Sequence, residues 1–426
     1  MTTPTASPHE TQRRERDWHR GNDPAALWPG VRSDALQRAA DAIGHATTAL
    51  MRGAEATLTT DADARTVGIA ALLTGMGPLL GFWLERGTLH TRGDIAAVLA
   101  EHLAQGRLRA ARIGDEVSPL LAALAAAGAA PAVMKGFHTA RIAFPDPGTR
   151  PFADVDVIVA PRHVATAEAI LQGAGFTAKP ARHGIYKRDW RPPGGEGTVS
   201  FELWHSRSDW SLELHDGVNF ETLLRLGARL DLQDAFEPAP PAFGVPLLVP
   251  RPALLLAILA THASLELGTA RLLRSVELVR VVRHLRDTRR LDWPAFEALL
   301  HRSRAARFVY PALSLAERLA PGTVGAGVLA RARHATTRRA RQLDARYTLT
   351  APILPDTLSP GHRLLWTDGP REVLRELAAI ASPPAGVGVA GALRDYHARA
   401  IRLASKLGST LRSRHGAHDN PADREP

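Results

Sequence analysis

No cysteine occurs in the 426 residues. Disulfides, thiolate nucleophiles and cysteine-ligated zinc are therefore excluded, and a reducing, cytoplasmic setting is expected. Aromatic residues make up only 5% of the chain. The apolar content is 45%, mainly alanine and leucine, a mixture that favours helix. Lysine is scarce too: only 4 of the 53 basic side chains are lysine, the rest arginine. The formal charge of +10 suits nucleotides, nucleic acid or acidic partners. An arginine-rich coding bias is the plainer account, because the basic residues are spread along the chain. The first residues are polar and of mixed charge, unlike a secretory leader. Val67 to Leu84 carries no charge, but Gly75, Gly77, Pro78 and Gly81 interrupt it. A pair of buried helices joined at Thr74–Pro78 is expected there, not a membrane span.

Residues 1–24 are polar and rich in Pro and Thr, so a disordered tail is expected, and so is a second one over 408–426. Between the tails the helical period dominates. Ser33, Thr60 or Asp61, and Asp94 are candidate helix caps, and Ser118–Pro119 reads as the start of a separate alanine-rich helix. The pattern changes at Asp154–Val159, where β-branched residues alternate with aspartates as in a strand. A helix follows from Pro161 to Gly173. Val199–His205 and Ser211–His215 read as a hairpin around the turn Ser206–Asp209. From Pro252 the helical period returns, with Leu255, Leu259 and His262 on one stripe and Leu272, Val276, Val279 and Val282 on another.

Asp154 and Asp156 carry the chemistry. Strand residues at i and i+2 share a face about 7 Å apart, and two carboxylates held so repel unless a cation bridges them. Hard oxygen ligands suit Mg²⁺ or Mn²⁺. A strand-borne Asp pair can also simply cap or solvate a sheet edge, but these two fall in an otherwise apolar run, where bare charge is costly. Glu213 is the expected third carboxylate, with Glu202 as rival. On this reading Asp156→Asn relieves repulsion and leaves the fold intact.

Met134-Lys135-Gly136, Phe144-Pro145-Asp146-Pro147-Gly148, Arg150-Pro151, Asp154-Val155-Asp156-Val157 and Leu212-Glu213-Leu214-His215, in that order, resemble the uncharacterised bacterial nucleotidyltransferase family of the DNA polymerase β-like superfamily. The likeness is strongest over about Ala130 to Gly217 and continues through Ala260–Ala263 and Leu291–Trp293. It implies an α+β fold: a small mixed nucleotidyltransferase sheet flanked by all-helical N- and C-terminal regions. The implied division is 25–129 helical, 130–248 catalytic core and 249–407 helical. By the same resemblance Asp154, Asp156 and Glu213 are catalytic and hold the metal, Mg²⁺ or Mn²⁺. Lys135, Gly136, Arg150 and His215 face substrate and phosphates. The substrate is a nucleoside triphosphate, and the acceptor a small molecule, peptide or RNA, as in natural-product or peptide modification.

Two departures stand out. Arg150-Pro151-Phe152-Ala153 occupies the space where the wider superfamily has a Gly-Ser phosphate-binding turn, and Glu277 stands where relatives more often have Asp. A non-catalytic scaffold built on a degenerate core is therefore the alternative. Plainer roles are also open for several residues: a helix cap for Lys135, an ion pair with Asp146 or Asp154 for Arg150, and packed, hydrogen-bonded positions for His215 and His262. Arg331, His334, Arg338 and Arg341 share one helical face that suits nucleic acid or plain solvation.

Overall fold

In a computed structural model of the chain, residues 6–21, 24–179, 187–194, 199–218, 220–266, 272–350 and 364–381 are described. The N-terminal helices are α1 (Pro8–Gly21), α2 (Pro24–Leu27), α3 (Ser33–Met51), α4 (Ala64–Thr74), α5 (Gly77–Glu85) and α6 (Gly93–Ala126), with short strands β1 (Ala56–Thr57) and β2 (Leu89–His90) among them. The mixed region holds β3 (Ala132–Met134), α7 (Lys135–Ile142), β4 (Asp154–Ile158), α8 (Val164–Gly173), β5 (Thr177–Ala178), β6 (Lys187–Arg191) and β7 (Ser211–His215). It continues through α9 (Glu221–Arg225), β8 (Phe236–Pro238) and β9 (Leu248–Pro250). The C-terminal helices are α10 (Pro252–Leu265), α11 (Leu272–Asp287), α12 (Trp293–Arg302), α13 (Tyr310–Leu319), α14 (Ala326–Ala335), α15 (Arg338–Asp344) and α16 (Pro370–Ala381). The fold is α+β, with helices before and after one mixed sheet, as expected.

That sheet has seven described strands in the order β5-β6-β7-β4-β3-β9-β8. β4 runs parallel to β7 and antiparallel to β3, and β6 pairs antiparallel with the far side of β7. Alternation gives the sheet two faces. Val155, Val157, Leu212 and Leu214 pack into one core with Ile113, Val117, Leu121 and Leu124 of α6 and with Ala167 and Leu171 of α8. The other face is turned toward a second core, which Met134 and Ile158 join together with α3–α5 and α10–α14.

Met1–Val373 forms one compact unit, so the expected boundaries at 129/130 and 248/249 fall inside it. In the second unit, Leu374 and Leu377 of α16 are exposed.

Several expectations are corrected. Residues 8–21 are helical where a tail was expected. Ser7 Oγ accepts from Glu10 N, Arg14 stacks over the Phe201 ring at 5.2 Å, and Trp28 Nε1 donates to Phe201 O. Those contacts hold 199–203 as a loop, so the Val199–His205 strand does not form and β7 pairs with β6 instead of in a hairpin. Asp63, rather than Thr60 or Asp61, caps α4 by accepting from Thr66 N. Ser118 and Pro119 lie inside α6, where the Ser118 hydroxyl donates to Gly114 O. An internal proline costs roughly 3 kcal/mol. Burial of Val117, Leu120, Leu121 and Leu124 around it keeps the helix continuous. The second expected tail, 408–426, lies outside the described residues.

The Val67–Leu84 run is the pair α4 and α5, bent by 114° at a break of Gly75 and Met76. Gly75 supplies the left-handed φ of 74° that ends α4. Val67, Ile69, Ala70, Ala71, Leu79 and Leu80 are fully buried in protein. Among the described residues no single helix is long and apolar enough to cross a membrane.

Candidate active site

The register of β4 on β7 builds the centre. Asp156 lies opposite Glu213, Asp154 opposite Ser211 and Ile158 opposite His215, so the acidic residues share one face. Valine and leucine drive the opposite face into the core, and this fixes which way the carboxylates point. Glu202 sits elsewhere, paired with Arg65 at 2.9 Å, so Glu213 is the third carboxylate of this face.

β3 delivers the next residue. Met134 is opposite Asp156, and the chain then turns sharply into α7 at Lys135, whose φ is +52°. A non-glycine residue in the left-handed region costs about 1–3 kcal/mol and persists only where its surroundings hold it. Here Lys135 Nζ lies 2.7 Å from Asp156 Oδ1. Gly136 follows because nothing larger fits: a Cβ there would come within 2.6 Å of Arg150 Nη1.

Two further groups close on the carboxylates. His215 Nε2 is 3.2 Å from Asp156 Oδ1 and 3.6 Å from Glu213 Oε2, and its buried Nδ1 has no hydrogen-bond partner among the described residues. Lys187 of β6 reaches Glu213 Oε2 at 2.7 Å. Asp156, Glu213 and His215 each offer a ligand atom, and these atoms lie within 4.8 Å of one another. Two carboxylates and an imidazole at that spacing form a donor set able to take a divalent cation.

The charges are strongly biased. Burial, reinforced by Asp156 and Glu213, pushes the Asp154 carboxyl up. Burial opposes ionisation of Asp156, but Lys135 and His215 outweigh it and hold that carboxyl far below its usual range. Burial also opposes ionisation of Glu213, which His215, Lys187 and Lys135 nevertheless hold low. Against the same burial, Asp156 and Glu213 raise the His215 imidazole, and Asp156 with Asp154 raises the Lys135 ammonium. A face this crowded with opposed charge is typical of functional sites.

Arg150 departs from expectation. It is 4% exposed and bidentate to Glu277, at 2.9 and 2.8 Å from Nη2, while its Nη1 donates to Pro151 O. Thr139 also donates to Glu277. The pair holds the turn at Lys135–Gly136 against α11, and Arg150 spends its bonds on Glu277 and the Pro151 carbonyl. Asp146 accepts from Gly148 N and pairs with Arg107 of α6, pinning the preceding turn. His262 is packed as expected: its Nε2 meets Glu266 at 3.0 Å and its ring lies 5.9 Å from that of Phe220. The expected basic face over 331–346 is broken between α14 and α15. Arg331 pairs with Glu297, and Arg341 donates to Arg333 O and Thr336 O.

Two basic residues went unnoticed in the sequence. Lys187 is one; Arg274 of α11 is the other, close enough to favour the ionised form of Asp154 and 3.8 Å from Glu277. Lysine scarcity was the signal for Lys187, since two of the four lysines meet this cluster.

Paired strand carboxylates beside a lysine turn on a mixed sheet define a nucleotidyltransferase-type core. The family described as uncharacterised nucleotidyltransferase matches residues 74–321, more than half of the chain, and the chain belongs to that family. No curated protein matches the sequence.

Proposed function

We propose that the protein transfers a nucleoside monophosphate from a nucleoside triphosphate to an acceptor hydroxyl, with Mg²⁺ or Mn²⁺, on a DNA polymerase β-like core. The observation that carries this reading is the alignment of Asp154, Asp156 and Glu213 on one face of paired strands, with Lys135 held against them in a strained turn. The donor set fits the cation. Asp156 and Glu213 would hold it with His215, whose Nε2 faces both carboxylates, and Asp154, on the same strand face, would add a further oxygen. A cation bound there neutralises phosphate charge and polarises the reacting oxygens.

The chain's own residues then position the substrate. Lys135 supplies a point charge for the phosphates beside Asp156. The Arg150–Glu277 clamp keeps the Lys135–Gly136 backbone in place, and positioning of this kind supplies much of the rate in phosphoryl transfer. A small molecule, a peptide or RNA fits as acceptor, and the absence of cysteine supports a cytoplasmic setting.

One observation favours the second reading, a scaffold without turnover. Lys135, Lys187 and His215 lie within ion-pair distance of the carboxylates and offset much of their charge. Incubating the protein with each α-labelled nucleoside triphosphate, Mn²⁺ and cell extract separates the two. Label transferred to a discrete acceptor, and lost in Asp154→Asn, supports the enzyme; no transfer with any nucleotide supports the scaffold.

A further inference from the structure

The proposed reaction needs a grip on the triphosphate tail, and two obvious holders are gone. The Gly-Ser turn is replaced by Arg150–Ala153, and Arg150 is spent on Glu277. Lys187 is engaged by Glu213, and Lys135, paired with Asp156, supplies a single point charge but no fork for the tail. Among the described residues, a further cation beside this face is Arg274. It stands on α11, one turn before Glu277, and shares that carboxylate with Arg150: Arg150 Nη2 is 2.8 Å from Glu277 Oε2, Arg274 Nη1 3.8 Å from the same oxygen. Arg150 in turn packs against Gly136, so one carboxylate, Glu277, links Arg274 to the Lys135–Gly136 turn.

The contacts of Arg274 are loose. Its second carboxylate is Glu266, at 3.6 Å. Both separations exceed hydrogen-bond length, so among the described residues neither carboxylate takes up the donors of the guanidinium. The contrast with Arg150, which makes four bonds of 2.8–3.1 Å, is what singles Arg274 out. Its side chain is 27% exposed, so a ligand can reach it, and the shell around it is partly desolvated, which strengthens an ionic contact.

We propose that Arg274 binds the β- and γ-phosphates of the nucleoside triphosphate, taking over from the missing Gly-Ser turn. The inference rests on the nucleotidyl-transfer reading. A planar fork matches two phosphate oxygens at once, which an ammonium cannot do. Glu266 and Glu277 hold the fork ready without consuming it, so little side-chain order is lost on binding.

The test uses the full chain, Mn²⁺ and inorganic tripolyphosphate as a base-independent probe, followed by the four nucleoside triphosphates, with calorimetric dissociation constants. Arg274→Ala should weaken tripolyphosphate and triphosphate binding about ten- to a hundredfold. Nucleoside monophosphate binding should change little, and Arg274→Lys should lie between. Arg331→Ala, which removes a distant charge paired with Glu297, should bind as the parent does. In turnover, the Michaelis constant should rise more than kcat falls. If the parent binds triphosphate and Arg274→Ala binds it equally well, the role of Arg274 is overturned and the transferase reading stands. If the parent binds no triphosphate at all, the transferase reading itself fails.

Discussion

Lys135 and Asp156 form a buried ion pair across the β3–β4 ladder, with Nζ 2.7 Å from Oδ1 and side chains 12% and 1% exposed. The pair changes what a substitution at Asp156 should do. Repulsion among crowded carboxylates is the reason to expect Asp156→Asn to abolish turnover yet leave the fold intact. In the structure Asp156 is the carboxylate with partners, Lys135 and His215, and removing its charge strands a buried ammonium. Breaking one side of a buried pair costs about 3–5 kcal/mol. Asp156→Asn should therefore lower the metal-free melting temperature by several degrees, measured by differential scanning calorimetry; an unchanged or higher value would count against the pair.

Asp154 should behave in the opposite way. Its carboxyl is the one that burial, Asp156 and Glu213 push up, and it has no ion pair of its own among the described residues. Asp154→Asn should leave the metal-free melting temperature equal or raise it, while the stabilisation by Mn²⁺ falls and turnover is lost. A marked drop in metal-free stability would show that Asp154 is a structural residue.

Arg150 and Glu277 should read as a clamp. Arg150→Met should cost about 3–5 kcal/mol by denaturant unfolding, because it leaves Glu277 charged and buried. The double variant Arg150→Met, Glu277→Leu should recover most of that loss. A phosphate-binding Arg150 would instead raise the Michaelis constant for nucleotide with little change in stability.

Acid should destabilise the protein through its buried histidines. Burial pushes His102 down to about 4 and His138 down to about 3, below the ordinary value of 6.5. Both are neutral in the fold and protonate first in the unfolded chain. Their contribution is fully present above pH 6.5 and is lost progressively as the pH falls through about 4 and 3. The raised His215 acts in the opposite sense and at higher pH, adding stability that is lost as the pH rises above 6.5. Each shift corresponds to roughly 3–5 kcal/mol at most. The melting temperature should fall steadily from pH 6.5 to 4, and His102→Gln should flatten the slope; a flat profile in the parent would contradict the assignment.

What the chain spelled out was the alternation. Asp154, Val155, Asp156 and Val157 in one run, and Leu212, Glu213, Leu214 and His215 in another, state which side is buried, and β4 and β7 pair accordingly. Tertiary contacts decided the rest. Nothing local says that Phe201 accepts from Trp28 and stacks under Arg14, and so Val199–His205 reads as a strand by propensity alone. Pro119 reads as a helix start unless the core beneath α6 is known. Arg150 looks free for phosphate until Glu277, 127 residues away, is brought against it. Arg274 carries no local mark, since arginine is everywhere in this chain.

The central claim is that Asp154, Asp156, Glu213 and His215 hold a divalent cation for nucleotidyl transfer. Calorimetric titration of Mn²⁺ into the full chain with saturating nucleoside triphosphate tests it most directly, with Glu213→Gln beside the parent. The account predicts saturable binding to the parent and at least roughly tenfold weaker binding to Glu213→Gln, since one charged ligand is lost. Equal binding by the two proteins, or none by the parent, would contradict it.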